Sequence, residues 1–328
     1  MLMKGLYRRQ AVRCLPSVLV SSLSASRDIL NCRVGSRKLS RSFFKAGKAY
    51  WVERTAGHEI VVMEKLVQKD MMLDVRAEVK APCAAAGNEM ATPKYRRILL
   101  KLSGEALMGK EGFGIDPAII GGLADEIVGA YKKGVQIAIV VGGGNIFRGV
   151  KGSSWGMDKA AADYVGMLAT IMNCLILQEV LKGKGIATRV QTAIAMPAIA
   201  EPFIRLRAIR HLEKDRIVIF GGGTGNPHVT TDTAAALRAA EIGAEVILMA
   251  KNNVDGVYSA DPRTNPDAKK ITAISFDEMI RQNLRVMDPA AVSICEQNKI
   301  PLIVFDSNNN GSIERIVMGN DEIGTHIG

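Results

Sequence analysis

From Tyr95 onward, near-continuous apolar runs of five to seven residues alternate with longer amphipathic stretches, and three of those runs end in glycine clusters. The runs Arg97–Leu102, Val135–Val141, Ile186–Thr192, Arg216–Phe220, Glu245–Ala250 and Pro301–Phe305 read as strands buried on both faces. Between them, helices are predicted over Pro117–Lys133, Met157–Lys182, Pro197–Lys214, Thr231–Ile242, Phe276–Gln282 and Pro289–Asn298. Asp116 before Pro117 is a start signal, an N-cap followed by proline at the first helical position. Pro202 is the one residue able to break its predicted helix. Strands alternating with helices define an α/β fold, a mainly parallel central sheet between two helical layers in a three-layer αβα sandwich. Ligands in such folds bind at the carboxyl ends of the strands. Ser103-Gly104, Gly142–Gly144 and Gly221–Gly225 all fall there.

Charge divides the chain differently from hydropathy. Residues 1–94 hold 17 Lys/Arg against 8 Asp/Glu, a net +9 of the whole chain's +10. Residues 95–328 are almost neutral, so a nucleic-acid partner is not expected for them. The first fifty residues contain 11 Lys/Arg, 8 Ser and one acid, Asp28, the composition of an organelle transit peptide. A basic tail that binds RNA is the alternative, weakly supported because only Phe43, Phe44, Tyr50 and Trp51 are available to stack on bases. Residues 51–94 read as linker or residual leader. The expected organisation is therefore a transit peptide and linker over 1–94 and a catalytic domain over 95–328. No apolar run approaches the ~18 residues of a membrane span, so no membrane association is expected. Five cysteines without a Cys-x-x-Cys pair, and four scattered histidines, give no zinc or disulfide framework and no metal-ligand set. His58, His211, His228 and His326 are read as structural or surface residues, with only His228 inside a motif.

Glycine clusters at strand ends bring backbone N–H groups close to a ligand, and successive N–H groups cradle phosphate oxygens. Tight strand–helix turns explain any single cluster equally well, but three together favour nucleotide binding. Neither the Gly-x4-Gly-Lys-Ser/Thr loop nor the Gly-x-Gly-x-x-Gly fingerprint occurs, which excludes P-loop kinases and the dinucleotide-binding reading.

Four blocks carry a specific likeness: Lys101-Leu-Ser-Gly-Glu-Ala106, Gly142-Gly-Gly-Asn-Ile-Phe-Arg-Gly149, Thr224-Gly-Asn-Pro-His-Val-Thr-Thr-Asp232 and Val254-Asp-Gly-Val-Tyr-Ser-Ala-Asp-Pro262. In order and content they resemble the bacterial-type UMP kinases of the amino-acid-kinase family, from about Tyr95 to the C-terminus. The resemblance implies transfer of the ATP γ-phosphoryl group to UMP, with Mg²⁺ accompanying ATP. It implies catalytic roles for Lys101, Arg148, Asp232 and Asp288. It assigns ATP contacts to Lys101, Leu102, Ser103, Gly104, Gly144, Arg148, Asn252, Tyr258 and Asp261. UMP contacts fall on Gly143, Asp163, Thr224, Gly225, Asn226, Pro227, His228, Val229, Thr230 and Thr231. The loop Gly109, Lys110, Glu111, Gly112, Phe113 and Gly114 resembles a GTP effector segment, with UTP a second effector. A homo-hexamer is implied as well. The bacterial character, joined to a leader, implies the plastid stroma, with the mitochondrion as alternative.

Several of these residues have a second, plainer reading. Lys101 inside a Leu-rich strand is rare as a surface residue and suits charge neutralisation at a phosphoryl group. Arg148 could clamp phosphate or be surface charge. Asp163 shares a helix face with Met167, Thr170, Ile171 and Cys174, so its carboxylate is expected to be buried and to need donors. The resemblance supplies ribose hydroxyls, and a bond inside the core is the alternative. Thr230, Thr231 and Asp232 are also ordinary N-cap residues, as is Asp288 before Pro289. Tyr258 could be packing. A kinase of the same fold acting on a carboxylate such as aspartate remains the rival, against which the Thr-Gly-Asn-Pro block argues.

Overall fold

The computed structural model describes residues 92–328, apart from 110–111, 150–154, 253, 261–264, 266, 283, 285 and 321, together with short strands between residues 33 and 63. The chain forms two compact units, Met1–Met90 and Ala91–Gly328. In the first unit, β1 (Arg33–Val34) and β2 (Arg37–Lys38) pair antiparallel. There β3 (Arg41–Lys45), β4 (Lys48–Thr55) and β5 (His58–Met63) form an antiparallel three-stranded sheet. Trp51–Thr55 and His58–Met63 are thus strand where linker is expected. The short apolar runs Tyr50–Val52 and Ile60–Val62 consist largely of aromatic and β-branched residues, which favour strands. The rest of the transit-peptide reading lies outside the described residues.

The second unit is built on nine strands: β6 (Arg97–Leu102), β7 (Gln136–Val141), β8 (Thr188–Thr192), β9 (Glu201–Pro202), β10 (Ile217–Gly221), β11 (Val246–Lys251), β14 (Ala273–Ile274), β15 (Leu302–Asp306) and β16 (Thr325–Ile327). Their order is β14-β16-β15-β11-β6-β7-β10-β8-β9, parallel throughout except β15 with β16. A separate hairpin, β12 (Val257–Tyr258) with β13 (Lys270–Ile271), stands beside this sheet. The helices are α1 (Pro117–Lys132), α2 (Lys159–Gly183), α3 (Arg205–Leu212), α4 (Thr231–Ile242), α5 (Phe276–Arg281), α6 (Pro289–Gln297) and α7 (Ser312–Val317).

Strand alternation divides the core in two. Ile98, Leu100, Leu102, Ile137, Ile139, Ile219 and Leu248 bury against α1, α2 and α7. Leu99, Val140, Val218, Ile247 and Met249 bury against α3, α4, α5 and α6. A sheet covered on both faces needs apolar side chains on both, which is why its strands read as continuous apolar runs. The three-layer αβα sandwich with a mainly parallel sheet is the observed fold.

Two expectations are corrected. The helix over 197–214 begins only at Arg205, because Pro202 sits in edge strand β9, in register with Thr192 of β8. Proline lacks the N–H a helix interior requires but is tolerated at a sheet edge. The Phe203 N–H, 2.9 Å from the Thr192 carbonyl, ties the chain there before the helix starts. Second, α2 is long and apolar enough, by length and composition, to cross a membrane, where no segment of that kind is expected. Its buried face packs Met167, Ile171, Cys174, Leu177 and Leu181 against the sheet, as the core helix of a sandwich does.

Candidate functional site

Lys101 is the fifth residue of β6 and follows Leu99 on the face that meets α4. The residue is 7% exposed, and its ammonium forms an ion pair with Asp232 in the first turn of α4. The start of that helix is fixed by two acids and two hydroxyls. The Thr230 hydroxyl oxygen accepts from the N–H groups of Asp232 (3.1 Å) and Thr233 (3.3 Å). Its O–H donates to Asp288 at 2.5 Å, and the Thr233 hydroxyl donates to both Asp288 oxygens at 2.8 and 2.9 Å. Asp288 also caps α6 by accepting from the Ala291 N–H at 3.0 Å. Burial works to raise the Asp288 carboxyl. The hydrogen bonds from Thr230, Ala291 and Thr233 outweigh it and hold the group below its ordinary value. Through these bonds Asp288 ties the start of α4 to the start of α6.

The first two glycine clusters press against one another. A Cβ on Gly104 would lie 2.7 Å from Asn145 Oδ1, the Gly142 carbonyl and the Gly144 nitrogen. A Cβ on Gly143 would lie 2.7 Å from the Gly166 carbonyl of α2. Nothing but glycine fits either position without displacing backbone. Helix α2 anchors these turns from beneath. Asn173 donates to the Gly142 carbonyl at 2.7 Å and exchanges two hydrogen bonds with Asn145 at 2.7 and 3.0 Å. Asn145 and Asn173 are 1% and 0% exposed, so this is a satisfied buried polar pair. One turn earlier on α2, the Thr170 hydroxyl accepts from the Gly222 N–H at 2.8 Å and anchors the third cluster. Sequence reasoning missed Asn145, Asn173 and Thr170 as scaffold. The only available signal was polar residues inside otherwise apolar stretches.

Between the glycine turns lies a cavity of about 150 Å³ lined by Gly143, Gly144, Asp163, Thr170, Thr224 and Thr231, among others. Asp163 is half-buried at its rim instead of enclosed, because its turn of α2 faces the loop before α4. Its Oδ2 accepts from the His228 N–H at 2.7 Å. His228 itself adopts a left-handed φ of +64°, uncommon for a residue with a side chain. Asn226 donates from its backbone to the Thr224 hydroxyl at 3.2 Å. The segment from Thr224 to Thr231, including Gly225, Pro227 and Val229, is thereby folded over the cavity.

Just past the carboxyl end of β6, Arg148 is exposed and pairs with Glu105 at 2.6 Å. Leu102 is buried and Ser103 half-buried where β6 ends. Asn252 follows β11 and accepts from the Asn308 amide at 2.8 Å. Tyr258 donates to Asp255 at 2.7 Å, and that bond, with burial, raises its phenol above the ordinary value. Asp261 lies outside the described residues, as do Lys110 and Glu111. The remainder of their loop is glycine-built, with Gly109, Gly112 and Gly114 at φ of +61°, +68° and +76° and Phe113 65% exposed. Gly114 is tied to the second glycine cluster by two bonds with Asn145, at 2.8 and 2.9 Å. Lys251, which sequence reading passed over, closes β11 with its ammonium 3.0 Å from the Val286 carbonyl. Among the described residues no group of three or more His, Cys, Asp or Glu could hold a metal ion.

A buried lysine, a helix N-terminus and glycine turns that line a common cavity suit an anionic, phosphate-bearing ligand. The model of the amino acid kinase family matches residues 96–306, and the chain belongs to that family. Among solved structures it is similar to the UMP kinase from Bacillus anthracis, at 43% identity and a TM-score of 0.70, over 71% of this chain and 96% of that one. It is similar also to the UMP kinase from Ureaplasma parvum, at 38% identity and a TM-score of 0.68, over 71% and 98%. The uridylate kinase from Archaeoglobus fulgidus matches at 27% identity and a TM-score of 0.52, over 70% and 99%.

Proposed function

We propose that the chain is a UMP kinase, transferring the γ-phosphoryl group of ATP to UMP to give ADP and UDP in pyrimidine nucleotide biosynthesis. The observation that carries this reading is a glycine-walled cavity lined by Asp163, Thr224, Val229 and Thr231, with the Lys101–Asp232 ion pair in the first turn of the helix that Thr231 begins. Similarity to the UMP kinases of two bacteria supports the choice of acceptor.

In this reading UMP lies in the cavity, with Asp163 accepting from ribose hydroxyls and Thr224–Thr231 enclosing the nucleotide. ATP approaches over Ser103, Gly104 and Gly144, with Asn252, Tyr258 and Asp261 toward its nucleoside. No general base is needed, because the UMP phosphate has a second pKa near ~6 and is largely dianionic at neutral pH. Lys101 neutralises charge on the transferring group, and Asp232 holds the lysine in place. Arg148 exchanges Glu105 for phosphate oxygens. Catalysis is positioning and charge neutralisation. Mg²⁺ supplies further charge neutralisation when bound, and in this reading it arrives on the ATP phosphates.

The same reading extends to assembly and address. Helix α2 presents Tyr164, Leu168, Met172 and Ile176 at four-residue spacing, 46, 44, 51 and 40% exposed, an apolar stripe that supports a homo-oligomer, here a hexamer. The bonds joining Gly114 to Asn145 give the effector loop, the proposed seat of GTP with UTP as a counterpart, a direct path to the glycine turn. Residues 1–94 are proposed as leader and linker to a 95–328 catalytic domain, addressed to the plastid stroma or, as alternative, the mitochondrion. A coupled assay of ADP release with UMP, CMP, dUMP and aspartate tests the activity. UMP should be strongly preferred, and turnover of aspartate without turnover of UMP would overturn the reading.

A further inference from the structure

Lys251 stands on the strand next to Lys101. Strands β11 and β6 run parallel, with Met249 opposite Lys101 and Ala250 opposite Leu102. Side chains two residues apart share a face. Ile247 and Met249 bury on the face that carries Leu99, so Lys251 leaves the sheet on the same side as Lys101, toward α4. It is one step further toward the carboxyl end, beside Ser103. Its backbone is pinned there, because the Lys251 carbonyl accepts from both the N–H and the hydroxyl of Ser307 at 2.9 Å.

Among the described residues no carboxylate forms an ion pair with this side chain. Its ammonium is half-buried, and its hydrogen-bond partner is one neutral group, the Val286 carbonyl. The carboxylates that act on it electrostatically are Asp232 and Glu105, and each is already ion-paired, with Lys101 and Arg148 respectively. Burial pushes the Lys251 ammonium below its ordinary value, and the like charge of Lys101 pushes it further, against Asp232 and Glu105. A partly desolvated cation without a counter-ion is costly unless a ligand supplies one. An anion touching both lysines would remove the desolvation cost and the lysine–lysine repulsion together.

We infer that Lys251 is the second cation of the phosphoryl-transfer site, binding phosphoryl oxygens of the nucleoside triphosphate from the β11 side while Lys101 does so from β6. This rests on the kinase reading but not on UMP as acceptor. The Val286 carbonyl sets the height of the ammonium above the sheet. That links the second cation to the segment leading into Asp288, and so to the cap that fixes α4.

The test uses the full chain with Lys251→Gln and Lys251→Arg. Glutamine keeps a donor for Val286 and loses the charge, whereas arginine keeps the charge. ATP affinity is read by calorimetry without acceptor, and kcat and KM by ADP release. Lys251→Gln should lose at least ~10²-fold in kcat, the scale of one preorganised charge at a transition state. The acceptor KM should stay within about threefold, because the lysine faces the donor. Lys251→Arg should stay within about tenfold of the wild-type kcat, since arginine keeps the charge with a different donor geometry. The groups facing Lys251 are Lys101, Asp232 and Glu105, and burial with the like charge of Lys101 lowers its pKa in the free enzyme, so its loss of charge falls on the alkaline limb of the kcat/KM profile. That limb should move to higher pH in Lys251→Arg. Near-wild-type kcat in a folded Lys251→Gln, or equal losses in the two variants, would overturn the inference. Should the glutamine variant fail to fold, an alkaline limb unchanged in Lys251→Arg overturns it as well. If wild type binds ATP yet phosphorylates an acceptor other than UMP, the acceptor reading fails and the Lys251 test proceeds with that acceptor.

Discussion

A lysine that is 7% exposed and neutralised by one carboxylate is held for an anion larger than its partner, and this sets the expectation for Lys101. Lys101→Ala should cut kcat by at least ~10²-fold, because a preorganised charge at the phosphoryl group contributes several kcal/mol. The residue lies near a strand end, so circular dichroism and Tm should show a folded protein. Near-full kcat in that folded variant would reject the role. Asp163 is tested through the sugar. Its Oδ2 already accepts from His228, leaving its other oxygen for a ribose hydroxyl. Loss of one hydroxyl leaves an acceptor short at roughly 1–3 kcal/mol, so UMP should be preferred to dUMP by about tenfold or more. Asp163→Asn should shrink that preference, and an unchanged UMP/dUMP ratio would remove Asp163 from the ribose. The burial of Lys101 was legible because a charge inside a leucine run is rarely a surface residue. Lys251 was not, since a lysine before two asparagines looks like the wet end of any strand, and only the register with β6 sets it beside Lys101. Asp163 was read as enclosed because helical periodicity gives a face and not a depth.

At the scale of elements, the site is a junction of helix ends fastened by Asp288. Its carboxylate caps α6 and receives the hydroxyls of Thr230 and Thr233 from the start of α4. Asp288→Ala removes a cap and leaves two hydroxyls without their acceptor, so a loss of ~1–3 kcal/mol in unfolding free energy is expected. Because the folded carboxyl lies below its ordinary value, its contribution is complete above the unfolded pKa of ~3.9 and is lost as pH falls through the lower folded value. Tm of wild type and variant should therefore differ at neutral pH and converge below about pH 4. A positioning role predicts activity that falls no more than tenfold where both proteins are folded. A large kcat loss with unchanged Tm would make the carboxylate catalytic instead. Strand and helix order was readable because each strand is a continuous apolar run and Pro117 and Pro289 mark helix starts. The stretch around Pro202 was not, because a two-residue edge strand is too short to show a period. What fastens the glycine turns, Asn173 and Thr170 on α2, depends on contacts 31 and 52 residues apart in sequence, which no local pattern encodes.

On the scale of the whole molecule, the two faces of the sheet and the cavity belong to Ala91–Gly328, and almost all the net charge belongs to the residues before it. The first backbone tie of that unit outside its regular elements is the Lys94 N–H, 2.8 Å from the Val317 carbonyl of α7. A chain starting at Thr92 retains this bond and every side chain of the two cores. It is therefore expected to fold with the Tm, kcat and KM of the full chain and, because the α2 stripe is intact, with the same oligomeric mass by light scattering. What it should lose is salt-sensitive affinity for polyanions. Counterion release scales with clustered Lys/Arg, and the net +8 of residues 1–91 is gone. Fused to a fluorescent protein, residues 1–94 should direct it to an organelle, the plastid first. A fusion that stays in the cytosol would reject the leader reading. A truncated enzyme that is soluble and folded yet inactive would show that the first unit, with its three-stranded sheet, takes part in catalysis, and the division of labour between the two units would have to be redrawn.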